Sequence, residues 1–76
     1  MTDQTVLLDR LAKAMTRVSE AEHHISSQAA HVAEMQRDGQ DAQRSIMILA
    51  TLREAHDRFQ QEVEHILKEL KRNTHP

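Results

Sequence analysis

Seventy-six residues and 8.8 kDa make one small domain at most. One Gly, one Pro, one Phe and no Cys, Trp or Tyr exclude a disulfide framework, a thiolate metal site, a glycine-rich phosphate loop and a multi-stranded β domain with its many turns. Ten Lys+Arg against twelve Asp+Glu give a formal charge of −2, and neither half of the chain forms the basic arm that would release counterions from nucleic acid.

The chain opens on Met1-Thr2-Asp3-Gln4, acidic and polar, which is not the start of a signal peptide. From there an apolar period predicts a helix over about 3–37. Its expected inward series is Leu8, Leu11, Met15, Val18, Glu22, Ile25, Ala29 and Val32. Glu22 is the one polar intrusion, and Leu7, Ala14, Ala21 and Met35 are expected beside the series. The period breaks at Arg37-Asp38-Gly39-Gln40-Asp41. Gly39 takes a left-handed helix stop without a Cβ penalty, and Asp38 or Asp41 can cap the next helix, so a turn is expected over 38–40. A second helix follows over about 41–73, with an inward series of Ala42, Ser45, Leu49, Leu52, His56, Phe59, Val63, Ile66 and Leu70. Ile46, Ile48, Ala55 and Leu67 sit beside it. Lys68, Lys71 and Arg72 fall in its last turns, where cations complement the helix dipole. The longest apolar run, Ile46 to Ala50, is far short of the roughly 20 residues that span a bilayer.

These elements make the expected fold all-α: a single antiparallel two-helix hairpin over 1–76, each arm about 50 Å long. The register sets Leu8 opposite Leu70, Met15 opposite Val63, Val18 opposite Phe59, Ile25 opposite Leu52 and Ala29 opposite Leu49. One unbroken rod is the rival, because a lone helical Gly costs only about 1 kcal/mol. The phase slip, the flanking Asp residues and the equal arms favour the hairpin. The apolar stripe is wider than one seam uses. Two hairpins are therefore expected to dimerise into a four-helix bundle, with Leu7, Met35, Ile46, Ile48 and Leu67 as the leftover interaction surface.

Glu22 and His56 interrupt the two series and face each other in this register. The expected role is a polar layer that fixes alignment. The sharper alternative is a metal- or pH-responsive site, in which Glu22 and His56 from two hairpins, with His24 as a further candidate, supply N and O ligands. Glu20/His23 and Glu62/His65 repeat the Glu-x-x-His spacing of di-iron bundles, but lie about 15 Å apart along the expected hairpin. No catalytic residues and no cofactor are expected. Ser26-Ser27 beside His23-His24 is helix surface without an oxyanion donor or a water-excluding cleft. Neither nucleic acid nor a membrane is an expected partner.

Glu22, His24, Ile25 and Gln28, then Arg37, Asp38, Gly39 and Asp41, then Leu49 and the closing Leu67, Glu69 and Leu70 resemble a family of small uncharacterised alphaproteobacterial helical-hairpin proteins with E-R-H-I-x-x-Q, R-D-G-x-D and L-x-E-L segments. The resemblance covers about two thirds of the chain. The sequence departs from it at Gln40, where the family usually has His, and at Ser26-Ser27, which weakens any metal or pH role centred on the turn. The resemblance implies a hairpin in a bacterial cytoplasm and no assigned activity. The function expected from the residues is that of a non-enzymatic interaction module, a small adaptor or chaperone that covers a partner's amphipathic helix.

Overall fold

A computed structural model describes residues 4–73 of the chain. They form two helices, α1 over Gln4–Arg37 and α2 over Gln43–Asn73, packed against each other as an antiparallel hairpin. No strand occurs among the described residues. The expected start of the first helix at Asp3 lies outside them. The hairpin is long and thin, with Cα extents of 60 × 14 × 14 Å.

The reversal is built by backbone chemistry around one residue. Gly39 has φ +71°, and it is the one positive-φ residue described. Its N–H donates to the carbonyl of Gln36 (3.2 Å), and the N–H of Gln40 donates to the carbonyl of Met35 (2.9 Å). This pair of bonds is a Schellman cap, which satisfies carbonyls that the end of α1 would otherwise leave open. Two residues on, the carboxylate of Asp41 accepts the N–H of Gln43 at 3.0 Å, while the Ala42 carbonyl takes the first helical bond, from Ile46. Asp41 thus caps the first turn of α2 with its side chain. That is why regular helix begins at Gln43 rather than at 41. Stop, turn and start occupy five residues, so the arms are forced alongside each other.

The core is thin and divided. Near the open end Leu7, Ala14 and Ile66 are buried, with Leu11, Val63 and Leu70 packed on them. Near the turn Val32, Ala42 and Leu49 are buried against Ile25, Ala29 and Met35. Every member of the expected α2 series is buried or half-buried. The α1 series needs correction. Leu11, Val18, Ile25 and Val32 turn inward, but the positions alternating with them are Leu7, Ala14 and Ala21, all buried, with half-buried Gln28. Leu8 and Met15, expected inside, are 52 % and 55 % exposed, and Glu22 is exposed as well. The inward face of α1 is rotated by one residue because Ala14 and Ala21 let the backbones approach across the bulkier His56, Phe59, Val63 and Ile66 of α2. Leu7, expected on an outer interaction surface, is fully buried inside the hairpin.

Candidate functional site

With the inward face fixed, the two flanks of the hairpin are defined. Stepping by seven residues keeps a position on one edge of a helix pair. On the first edge α1 carries Leu8, Met15, Glu22 and Ala29, and α2 carries Ile46, Arg53, Gln60 and Leu67. Met15, Glu22 and Gln60 line one shallow groove there, floored by Val18 and Val63. On the second edge α1 carries Arg10, Arg17, His24 and His31, and α2 carries Ile48, Ala55 and Glu62. Arg17, His24 and Ala55 line a second groove, floored by Ala21, Leu52 and Phe59. Arg10 Nη2 donates to Glu62 Oε1 at 3.2 Å across this edge. Both groups are more than two-fifths exposed, so the pair pins register more than it stabilises.

The expected surface of Leu7, Met35, Ile46, Ile48 and Leu67 is therefore not one surface. Leu7 lies in the core. Met35 is half-buried against the turn-end core, and its sulfur accepts the Ser45 hydroxyl at 3.2 Å. Ile46 and Leu67 share the first edge, whereas Ile48 borders a concave face near the turn with Arg44, Met47 and Leu52. Leu8 and Met15 are the true companions of Ile46 and Leu67.

Glu22 and His56 do come together. His56 lies at the seam with its side chain 16 % exposed, and its Nε2 is 3.8 Å from Glu22 Oε2. That separation is too long for a hydrogen bond. Nε2 is buried and has no hydrogen-bond partner, and Asp57 Oδ1 is 4.0 Å from Nδ1. A buried polar atom without a partner costs roughly 1–3 kcal/mol. His24 is on the other edge and does not join the pair. Among the described residues no three His, Asp or Glu side chains gather as a metal would need. A single chain thus offers Glu22 and His56 as two donors.

Three members of the Glu-x-x-His pairs have neighbours outside the pairs. Glu62 takes Arg10, and His65 Nε2 lies 2.9 Å from Glu69 Oε1 one turn on. The His23 and His24 rings lie tilted to each other by 52°, with centroids 6.4 Å apart.

One polar contact is not foreseen by the periodicity. Gln28 Nε2 donates to the Ser45 carbonyl at 2.9 Å, so Gln28, Ser45 and Met35 form a small network across the seam near the turn. Its signal is present in the sequence: Gln28 continues the seven-residue step Leu7, Ala14, Ala21. It is lost when the larger Leu8 and Met15 are assigned to the core.

No helix of the described residues is long and apolar enough to cross a membrane. Compared with protein-family models, with curated proteins and with solved structures, the chain matches none.

Proposed function

We propose that the chain is a non-enzymatic protein–protein interaction module, an adaptor- or chaperone-like hairpin that self-associates and presents helix surface to an amphipathic helix of another protein. The observation that carries this reading is the apolar surface that the hairpin leaves outside. Leu8, Met15, Ile46 and Leu67 along one edge, and Met47 and Ile48 beside the turn, are between 44 % and 64 % exposed, in a chain whose fully buried large side chains are Leu7 and Ile66. Exposed apolar side chains scattered singly need no explanation, but a contiguous set marks an interaction surface. Ile48 and Leu52, one helical turn apart, line a concave face beside the turn with Met47, which suits helix-in-groove contact. We propose a bacterial cytoplasm as the setting of this role, the expectation that the resemblance to alphaproteobacterial hairpin proteins supports.

The test is cross-linking of the tagged chain at native abundance in its own cells, followed by mass spectrometry, with Met47→Glu/Ile48→Glu alongside. The reading predicts a stoichiometric protein partner that the variant loses. Recovery of nothing above background from either chain contradicts the adaptor role.

A second reading, a metal- or proton-responsive binding protein using Glu22 and His56, is favoured by the unpartnered His56 Nε2 facing a carboxylate. Two chains brought together would supply two such pairs, a donor set that Zn²⁺ accepts. Calorimetry with Zn²⁺ on the wild type and on His56→Ala separates the two readings. Saturable heat that the variant abolishes supports the metal site, and equal weak heats remove it.

A further inference from the structure

We infer that the edge carrying Leu8, Met15, Ile46 and Leu67 is the seam along which a second copy of this chain docks, with the two-fold axis running parallel to the hairpin. In that arrangement α1 of each copy lies beside α2 of the other, and both turns point the same way. The inference rests on the reading of the chain as self-associating and names the surface and geometry of that association.

Three observations carry it. The first is composition: four of the seven exposed large apolar side chains fall on this one edge, each at a seven-residue step, or a multiple of it, from the other on the same helix.

The second is self-complementarity. Glu22 lies against His56, 3.8 Å apart, which sets it within one helical turn of Arg53 on the opposite arm. Steps of seven then set Leu8 within a turn of Leu67, Met15 within a turn of Gln60, and Ala29 within a turn of Ile46. Rotation about an axis parallel to the hairpin exchanges α1 for α2 at every level. Leu8 meets the second copy's Leu67, Met15 meets its Gln60, Ala29 meets its Ile46, and Glu22 meets its Arg53. Apolar groups cover apolar groups at both ends, and a carboxylate meets a guanidinium in the middle. All four helices then have antiparallel neighbours, the arrangement of an up-and-down bundle. An end-for-end dimer matches the apolar ends but lays Glu22 and Arg53 over Met15 and Gln60, leaving both charges without an opposite.

The third is area. The chain exposes 6009 Å², whereas a compact protein of this mass exposes about 4,800 Å². The excess is larger than the roughly 800 Å² that each partner contributes to a standard interface. The radius of gyration, 17.3 Å against about 11 Å for a compact domain of this length, traces the same excess to the rod-like shape.

The seam also covers Glu22, so the carboxylate beside His56 loses its water and gains the second copy's Arg53.

The experiment measures mass by sedimentation for the wild type, for Leu8→Glu/Leu67→Glu, and for Val6→Glu/Ala30→Glu, which places the same charges on exposed α1 positions off the edge. Helix content is followed by circular dichroism. The wild type and the Val6/Ala30 variant are expected at twice the 8.8 kDa chain mass. The edge variant is expected as a monomer, its dissociation constant raised roughly 100-fold or more. The chain has no cysteine of its own, so single-cysteine variants give an independent readout that does not need the edge variant to fold. Leu8→Cys mixed with tagged Leu67→Cys is expected to give the mixed covalent dimer with a short bismaleimide linker, in preference to Leu8→Cys mixed with tagged Ile46→Cys. A wild-type monomer overturns self-association itself. A dimer that survives Leu8→Glu/Leu67→Glu, or that links position 8 to position 46 instead of 67, overturns this seam and leaves self-association standing.

Discussion

Gly39 and Asp41 decide where the chain reverses, and each does so through local backbone chemistry that a single substitution removes. At φ +71° an L side chain is strained, yet a Cβ at Gly39 would meet nothing within 4 Å. The cost of Gly39→Ala is therefore conformational alone, about 1–2 kcal/mol, and Gly39→Asn should cost less because Asn tolerates the left-handed region. Urea unfolding of the two variants checks this, and a Gly39→Ala chain as stable as the wild type would contradict the cap. Asp41→Ala should cost about 1 kcal/mol by leaving the Gln43 N–H without its acceptor. His56 presents the opposite case. Its Nε2 is buried without a hydrogen bond, and leucine has a similar volume and nothing to satisfy. His56→Leu should raise stability by roughly 1 kcal/mol, read as a higher urea midpoint with unchanged slope. A loss of stability instead would mean that the 3.8 Å approach to Glu22 is favourable enough to outweigh desolvation. The cap is legible in the sequence because glycine and aspartate there have few other uses. The orphaned nitrogen is not, since the sequence places Glu22 opposite His56 but cannot give the ångström by which they miss.

At the scale of the helices, the two arms differ in how plainly they announce their inward faces. Along α2 all nine expected positions are buried or half-buried, because Leu52, Phe59, Val63, Ile66 and Leu70 have polar neighbours on at least one side that exclude most other frames. Along α1 each inward residue has a rival next to it: Leu7 beside Leu8, Ala14 beside Met15, Ala21 beside Glu22. Weighting by size selects Leu8 and Met15. The structure selects the small member at 14 and 21, since the space is set by the bulky residues of the opposite helix, and that information is not contained in α1. Ala21→Leu should therefore overpack the seam and destabilise by about 1–3 kcal/mol. Ala30→Leu, the same chemical change at an exposed position, should stay within about 0.5 kcal/mol. Thermal unfolding of the pair distinguishes the two frames, and equal effects would contradict the observed one.

For the molecule as a whole, shape limits function. Two helices joined by a five-residue reversal enclose a core whose buried apolar side chains are Leu7, Ala14, Ala21, Val32, Ala42, Leu49 and Ile66, three of them alanines. So small a core barely offsets the entropy of ordering a chain of this length. The same thinness leaves shallow open grooves along the two edges of the seam. The hairpin and its approximate register are legible because they follow from periodicity and one glycine. The surface is only half legible. Periodicity places Ile46 and Leu67 outside, but it assigns their companions Leu8 and Met15 to the core and sets Leu7 on the surface. That one-residue rotation conceals a continuous edge.

Folding and association should then be one event. Dilution of the wild type from about 100 μM to about 0.1 μM, with mass and far-ultraviolet circular dichroism followed together, tests this most directly. Helix content should fall as the dimer dissociates, with a midpoint that moves with concentration. A chain that remains fully helical as an 8.8 kDa monomer throughout would contradict it.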